Sequence, residues 1–448
     1  MNTAPLRIGL AGFGTVGSGL ARIFAENKEL LQERSGREMV ISSILVSDMS
    51  RQRAYPFPEG AKVTDNLDDF INDPSLDLIV EVIGGTTTAG DIISKALKAG
   101  KHVVTANKAL LAETGNKFFA LAAEKNLRLG FEASVCGGIP VIETFRNSMA
   151  ANEIKSMMGI LNGTSNYILS EMSSKGVSFA EALKDAQDLG FAEADPTLDI
   201  EGFDAAHKLA LLIRLAWGVD FPFDQVNVKG ITEVASKDIE FAERFGYRIK
   251  LIGHAKKHDK GIEAAVFPAF VQEAFLLSSV GGAYNALRIH GNAVGSLFLH
   301  GKGAGDLPTG SAVAADIVDI ARGTVRDNCN LSNIGYVNLP KATTIMPAGE
   351  VCCPFYLRLT LTDKAGTLRD IAGIMSDNSI SIAQAIQTAI PGAKEARKEG
   401  EVPPVHFTIM THKAKVNDVL KAVDLIANSP MVHEKPIIYR VLAREDNI

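Results

Sequence analysis

The chain has 448 residues, 46% of them hydrophobic and 22% charged, and 46 Lys and Arg against 52 Asp and Glu give a formal net charge of −6. That length implies two to four domains at about 100 to 200 residues each, and the composition excludes a disordered or fibrous chain. The acidic balance, with no basic block, gives no electrostatic support to a nucleic-acid partner.

The longest apolar stretch, Leu209–Val219, is broken by Arg214 and falls short of the ~18 to 20 residues that span a bilayer. No membrane partner is expected. Met1–Leu10 enters a strand-like segment without the charged and apolar regions of a signal peptide, so a soluble, cytoplasmic protein is expected. Cys136, Cys329, Cys352 and Cys353 are too few and too irregular for a disulfide framework. There is no CxxC pair and no HExxH. The single HxxxH spacing, His254 to His258, encloses two lysines that would repel a dication, so no transition-metal site is expected.

In chain order, Leu6–Ala11, Val40–Val46, Leu78–Ile83, Val103–Thr105 and Leu127–Phe131 read as strands. Helical faces lie between them, marked by Val16, Leu20, Ile23 and Phe24, by Ile92, Ile93, Ala96 and Leu97, and by Leu110, Leu111, Phe118 and Leu121. The alternation predicts an α/β fold, a Rossmann-type doubly wound parallel sheet over residues 1–134. An α+β region, 135–330, follows from Gly137, Gly138 and Pro140 and is expected to bind substrate, carry dimer contacts and send its last helices back to the nucleotide domain. Its clearest helices are Phe179–Leu189 and Asp204–Trp217.

Residues 351–448 read as a third, ferredoxin-like unit of order βαββαβ: strand Phe355–Leu361, helix Leu368–Ser376, strands Ile380–Gln387 and Val405–Thr411, helix Val416–Ala427 and strand Ile437–Val441. A polar insertion, Pro391–Pro404, is expected to be a loop between its middle strands.

The first strand runs into Gly12-Phe13-Gly14-Thr15-Val16-Gly17, the strand-turn-helix setting of a dinucleotide fingerprint. Gly12 permits the tight turn, Gly14 lets backbone approach a pyrophosphate, and Gly17 allows helix and strand to pack closely. The second strand ends at Ser47-Asp48, about thirty residues after Gly17 rather than the ~20 usual for a ribose-binding acid; one long first helix would account for the delay. Asp48 favours NAD, whereas Arg51 and Arg53 could pair with the 2′-phosphate of NADP, so both cofactors stay open.

Thr105-Ala106-Asn107-Lys108 follows the next-to-last strand, at the carboxyl edge where open α/β sheets bind ligands. A cation at a helix start opposes the helix dipole, so Lys108 lacks an evident structural reason there. The densest chemical signal runs from Gly190 to Lys208, where Glu193, Asp195, Asp199, Glu201 and Asp204 surround one lysine. Asp204 and Lys208 share a helical face, and Glu201 joins them only if the helix starts before Gly202. The spacing allows either a surface ion pair of ~0.3 to 0.5 kcal/mol or carboxylates that hold a substrate ammonium and orient a lysine acid. His207 and Trp217 are expected to be structural.

Together with Phe131–Val135, Gly159-Ile-Leu-Asn162-Gly-Thr164-Ser-Asn166-Tyr-Ile168 and Gly303-Ala-Gly305-Asp-Leu-Pro308, these motifs resemble homoserine dehydrogenase along the whole chain. The segment Asp363-Lys-Ala365-Gly366-Thr367-Leu368 resembles the turn of an ACT regulatory domain, with Ala365 where proline is usual. The resemblance implies reversible reduction of L-aspartate 4-semialdehyde to L-homoserine with NAD or NADP, on the route to threonine, methionine and isoleucine. It implies that Lys208 is the proton donor, that Lys108 assists at the nicotinamide, and that Glu193, Asp199 and Asp204 hold the substrate amino group or orient Lys208. Thr86 and Gly305 would join the nucleotide-binding residues. A monovalent cation such as sodium would rest on Glu132 and the carbonyls of Val135, Gly137 and Ile139.

The resemblance also implies a homo-oligomer, a dimer or tetramer, with an amino-acid effector, threonine by family logic, at Asp363, Gly366, Thr367 and Leu368. The chain beyond Val351 is then expected to be a separable sensor whose removal leaves catalysis intact. Another small amino-acid dehydrogenase of this fold, or a catalytically inactive amino-acid sensor, are the alternatives.

Overall fold

The computed structural model describes residues 4–323, 333–336, 341–390 and 403–442. Cys329 and most of the Pro391–Pro404 insertion lie outside the described residues. Among those described, no helix is long and apolar enough to cross a membrane.

Six parallel strands form the first sheet: β1 (Leu6–Ala11), β2 (Met39–Leu45), β3 (Lys62–Thr64), β4 (Leu78–Glu81), β5 (His102–Thr105) and β6 (Leu129–Gly130), ordered 3-2-1-4-5-6. Ile8, Leu10, Leu78, Ile79 and Val80 are fully buried because both faces of a parallel sheet are covered, which is why these strands read as unbroken apolar runs. The order reverses between β1 and β4, and a crevice opens there at the strands' carboxyl ends. The edge strand β3 was not expected, being short, half-buried and only weakly apolar. The first helix is two pieces, α1 (Thr15–Glu26) and α2 (Lys28–Ser35), broken at Asn27.

A helix from the far end of the second region, Asp306–Ala321, returns to lie against α1. Backbone meets backbone there: a Cβ on Gly19 would come within 2.3 Å of the Asp306 carbonyl, and one on Gly310 within 2.9 Å of the Leu20 amide.

The second sheet is continuous through the rest of the chain. Its strands β7 (Ile154–Ile160), Tyr247–His258, Gly261–Gln272, Tyr284–Gly291 and Gly295–Lys302 are joined by Phe355–Thr362, Ile382–Ala389, Pro404–Thr411 and Ile437–Leu442. The join is parallel pairing of Ile437–Leu442 with Gly261–Gln272, in the register Ala269 to Arg440, Phe270 to Val441 and Val271 to Leu442. Across it the Phe270 ring stacks on Tyr356 and Tyr439, with centroids 4.2 and 5.3 Å apart. A buried ion pair, Arg358 Nε to Asp238 Oδ1 at 2.5 Å, pins the same seam. The βαββαβ order is present with helices Thr367–Asp377 and Val416–Ala427, but the unit is built into the larger sheet instead of hanging from a linker.

The helix Phe203–Trp217 runs through the centre, and every residue from Asp204 to Ala216 is buried. Two of its cations are treated differently. Arg214 spends its guanidinium on the carbonyls of Leu111, Ala112 and Phe221, an anchoring role, whereas Lys208 is turned toward carboxylates.

Candidate active site

The glycine turn has the geometry its sequence anticipates. Gly12 has φ +100°, and a Cβ there would lie 2.7 Å from the Val82 carbonyl, while one on Gly17 would lie 2.3 Å from the Gly12 carbonyl. A Cβ on Gly14 would meet nothing within 4 Å, because Gly14 borders a cleft of about 910 Å³. No side chain caps α1, so its first-turn amides and dipole face that cleft, ready for an anion. Phe13, Thr15, Asp48, Arg51 and Arg53 line it. Val16 packs instead against the core. Thr86 and Gly305 do not line the cleft; they stand just before the helices Thr87–Lys98 and Asp306–Ala321.

At the rim, Asp48 accepts from the Ser50 amide at 2.8 Å and its hydroxyl at 2.6 Å. Those bonds hold its carboxyl below the usual range. Arg53 donates to the Asp48 carbonyl and lies 5.2 Å over the Phe57 ring, which in turn touches Phe13. Its Nε is buried without a partner.

Glu81, the last residue of β4, is fully buried at the crevice. One of its oxygens accepts from the Ile83 amide at 2.9 Å and the other from the Thr105 hydroxyl at 2.6 Å. Thr105 Oγ1 accepts from the Asn107 amide, Asn107 Nδ2 donates to the Gly85 carbonyl, and Asn107 Oδ1 caps the helix Lys108–Glu124 at the Leu110 amide. One carboxylate therefore ties the loop that lines the nucleotide cleft to the loop that presents Lys108. Burial pushes this carboxyl up, against those hydrogen bonds.

Asp204 is the centre of the charged cluster. Lys208 Nζ donates to Asp204 Oδ2 at 2.8 Å and to the Leu161 carbonyl at 2.6 Å, and Lys108 Nζ lies 3.1 Å from Asp204 Oδ1. Asn162 Nδ2 donates to Asp204 Oδ2 at 2.8 Å and to Asp199 Oδ1 at 2.6 Å, while its Oδ1 caps the helix Gly163–Lys175 at the Ser165 amide. Leu161 and Asn162 follow directly on β7, and Asn285 Nδ2 supports the Leu161 carbonyl at 3.1 Å.

Burial alone would raise the Asp204 carboxyl, but the two ammonium groups outweigh it and hold it far below its ordinary value. Burial disfavours the Lys208 charge, yet Asp204 more than restores it, so this lysine is raised and stays an ammonium at neutral pH. Asp199 is pushed up by burial and by repulsion from Asp204. The cluster can therefore hold a proton at a fixed place, with carboxylates beside it that suit a substrate ammonium.

The buried helix starts at Phe203, after Gly202 with φ +87°, so Glu201 does not share the face of Asp204 and Lys208. Glu193 is exposed and none of the hydrogen bonds of this cluster involves its carboxylate. Glu132 is buried and its two oxygens accept from the Ile142 and Glu143 amides, both at 2.8 Å; burial pushes it up to about 7. Gly137 has φ +46°, and the Ile139 carbonyl already accepts from the Val141 amide at 2.7 Å. Among the described residues no three His, Cys, Asp or Glu side chains gather as metal ligands. His254 and His258 face Glu263 instead, at 3.5 and 3.1 Å.

The turn Asp363–Leu368 is open to solvent: Asp363 accepts from Gln387, Gly366 has φ +96°, Thr367 donates to the Thr362 carbonyl, and Leu368 is exposed. Sequence reasoning missed Glu81, Asn285 and the role of Asn162. Only Asn162 carried a signal, its place in the Gly159–Ile168 motif.

Two family models match the chain, one described as the NAD binding domain of homoserine dehydrogenase over residues 12–132, the other as homoserine dehydrogenase over 140–318. The homoserine dehydrogenase of Neisseria gonorrhoeae is 42% identical over 436 residues, covering 97% of each chain. The crystal structure of a homoserine dehydrogenase from Thiobacillus denitrificans is similar with a TM-score of 0.91 at 40% identity, covering 98% of this chain and 99% of that one. A hyperthermophilic archaeal homoserine dehydrogenase in complex with NADPH is similar at a TM-score of 0.58 and 26% identity, covering 70% of this chain and 97% of that one.

Proposed function

The chain belongs to the homoserine dehydrogenase family of oxidoreductases, and on that premise we propose that it interconverts L-aspartate 4-semialdehyde and L-homoserine using NADP. The observation that carries the reading is the placement of Lys208: a buried ammonium held by one carboxylate and one carbonyl, in a cluster that Lys108 joins from the edge of the nucleotide sheet.

Gly12, Gly14 and the first turn of α1 would hold the nucleotide's phosphates, and the bound nicotinamide would supply the hydride that the aldehyde carbon receives. Lys208 then meets the oxygen on which negative charge develops, stabilises it and transfers one proton, which completes the alcohol. Asp204 keeps Lys208 charged and aimed. Asp199, with Asp204, faces the substrate ammonium, and Lys108, partly exposed, assists at the nicotinamide and the substrate. The choice of NADP rests on the rim: Asp48 is engaged by Ser50, while the guanidinium groups of Arg51 and Arg53 line the cleft beside it, and such groups suit a phosphate.

A sodium-like cation would rest on Glu132 and the carbonyls of Val135, Gly137 and Ile139. The C-terminal unit would act as an ACT-type regulator responding to threonine, in a homo-oligomer.

The test is oxidation of homoserine by the purified chain with NADP and with NAD, each with and without threonine. Turnover with NADP, faster than with NAD, is expected; no turnover with either nucleotide would overturn the proposal.

A further inference from the structure

A second cavity, of about 330 Å³, lies where the two parts of the large sheet join, lined by none of the residues of the catalytic cluster. Its walls come from both parts: Asp224 and Asn227 on one side, Glu263 from the strand Gly261–Gln272, Ile345 and Met346 from the connecting segment, and Arg440 from the C-terminal strand. Glu263 and Arg440 are mostly buried and paired at 3.1 Å. The Arg440 guanidinium lies 4.4 Å over the Phe267 ring, which holds its fork in one orientation. Glu263 has His254 and His258 as further partners, so Arg440 can redirect a bond without stranding a buried carboxylate.

That lining is complementary to a zwitterion. A fixed arginine fork takes a carboxylate in bidentate fashion, the exposed Asp224 at the mouth faces an ammonium, and Val226, Ile345 and Met346 offer apolar surface to a short side chain.

The segment that forms one wall also reaches the catalytic helix at two points. Phe223, next to Asp224, stacks on His207 with centroids 4.0 Å apart, and His207 adjoins Lys208. Val228, next to Asn227, sits where a Cβ on Gly202 would be 3.2 Å away, at the start of that helix, and the Ile231 amide donates to the Ile200 carbonyl at 2.8 Å. Gly230 packs so tightly on Ile200, 2.3 Å from carbonyl to an added Cβ, that the segment has little freedom to absorb a shift.

We propose that the seam cavity binds a small α-amino acid, its carboxylate on Arg440 and its ammonium on Asp224, and that its occupancy is relayed by Phe223–Gly230 to the helix bearing Asp204 and Lys208. The inference deepens the regulatory reading of the C-terminal unit and rests on it for the choice of probes. It places recognition at the seam, away from the Asp363–Leu368 turn.

The experiment is calorimetric titration of the full-length protein with L-threonine, L-methionine and L-isoleucine, on wild type and on the variants Asp224→Asn, Arg440→Gln and Asp363→Ala, with homoserine oxidation measured on each. At least one amino acid should bind wild type, and both seam variants should bind it about tenfold more weakly or worse. Asp224→Asn should keep its uninhibited activity and lose the response, while Asp363→Ala should bind as wild type does. If binding survives both seam substitutions, or is lost only in Asp363→Ala, the seam site is wrong and the regulatory reading stands. If none of the three amino acids binds the wild type while homoserine is still oxidised, both the seam site and the regulatory reading fall.

Discussion

Lys108 and Lys208 share one carboxylate, Lys108 Nζ standing 3.1 Å from Asp204 Oδ1 and Lys208 Nζ 2.8 Å from Asp204 Oδ2. The sharing separates their roles. Lys208 is nine-tenths buried and anchored a second time by the Leu161 carbonyl, so its position is fixed. Lys108 is the solvent-facing partner, on the first turn of a helix whose dipole disfavours it, and Asp204 compensates that cost.

Replacing the fixed ammonium tests its role in proton transfer. Lys208→Ala should lower turnover about 100- to 10,000-fold, the usual cost of losing a positioned acid, with nicotinamide affinity little changed. Turnover near wild type by steady-state assay would remove Lys208 from the reaction.

Asp204→Asn should move the pH profile. Asp204 raises Lys208, and in the mechanism proposed above the aldehyde-reducing direction needs Lys208 protonated. Without that carboxylate the lysine loses its proton at lower pH, so the alkaline limb of the reduction rate should shift to lower pH. An unmoved limb would mean that another group limits it.

At the nucleotide rim, Arg53→Ala should weaken NADP about tenfold, as expected for a lost charged contact, and leave NAD nearly unchanged. Asp48→Ala should alter neither much, since that carboxylate is bound to Ser50. Parallel fluorescence titrations decide, and selective loss of NAD binding in Asp48→Ala would reverse the cofactor assignment.

Glu81 should matter through the loops it joins. Glu81→Ala removes the acceptor for Ile83 and Thr105 together, so the KM for nucleotide should rise and kcat should fall as Lys108 loses its setting. Glu81→Gln keeps one acceptor oxygen and should recover part of both. Equal loss of kcat in both variants with an unchanged nucleotide KM would leave Glu81 a purely structural residue.

A chain ending at Gly349 should be less stable and less soluble than the full-length protein. It strips the strand paired with Gly261–Gln272, uncovers Phe270 and leaves Asp238 without Arg358. Thermal unfolding and light scattering measure this directly. A truncated form as stable as the whole would restore the expectation of a separable sensor.

The limits of the sequence reading follow from the range of the interactions. The strands of the nucleotide sheet and both helices of the βαββαβ unit announce themselves through local periodicity, and the two lysines through residues within a few positions of them. The pairing of Ile437–Leu442 with Gly261–Gln272 leaves no such trace, because a parallel ladder adds no new period to either strand. Arg358 and Asp238 lie 120 residues apart and each alone reads as a surface charge. Glu81 is hidden in part the same way: the Ile83 amide is two residues on, but Thr105 ends the next strand, 24 residues later. Glu193 stood out for its acidic company and for the resemblance, and its exposed side chain takes no part in the hydrogen bonds that join Asp199, Asp204 and Lys208.

The close approach of Gly19 to Asp306 and of Gly310 to Leu20 has a consequence in time. The nucleotide-binding strands are complete at Gly130, but α1 is not covered until the helix ending at Ala321 has been made. At roughly 5 to 20 residues per second, the nascent chain waits on the order of ten to forty seconds with that apolar flank open. A glycine-to-alanine change at residue 19 or 310 puts a methyl group into that backbone-to-backbone contact and should therefore prolong the exposure, read as slower acquisition of protease resistance during synthesis.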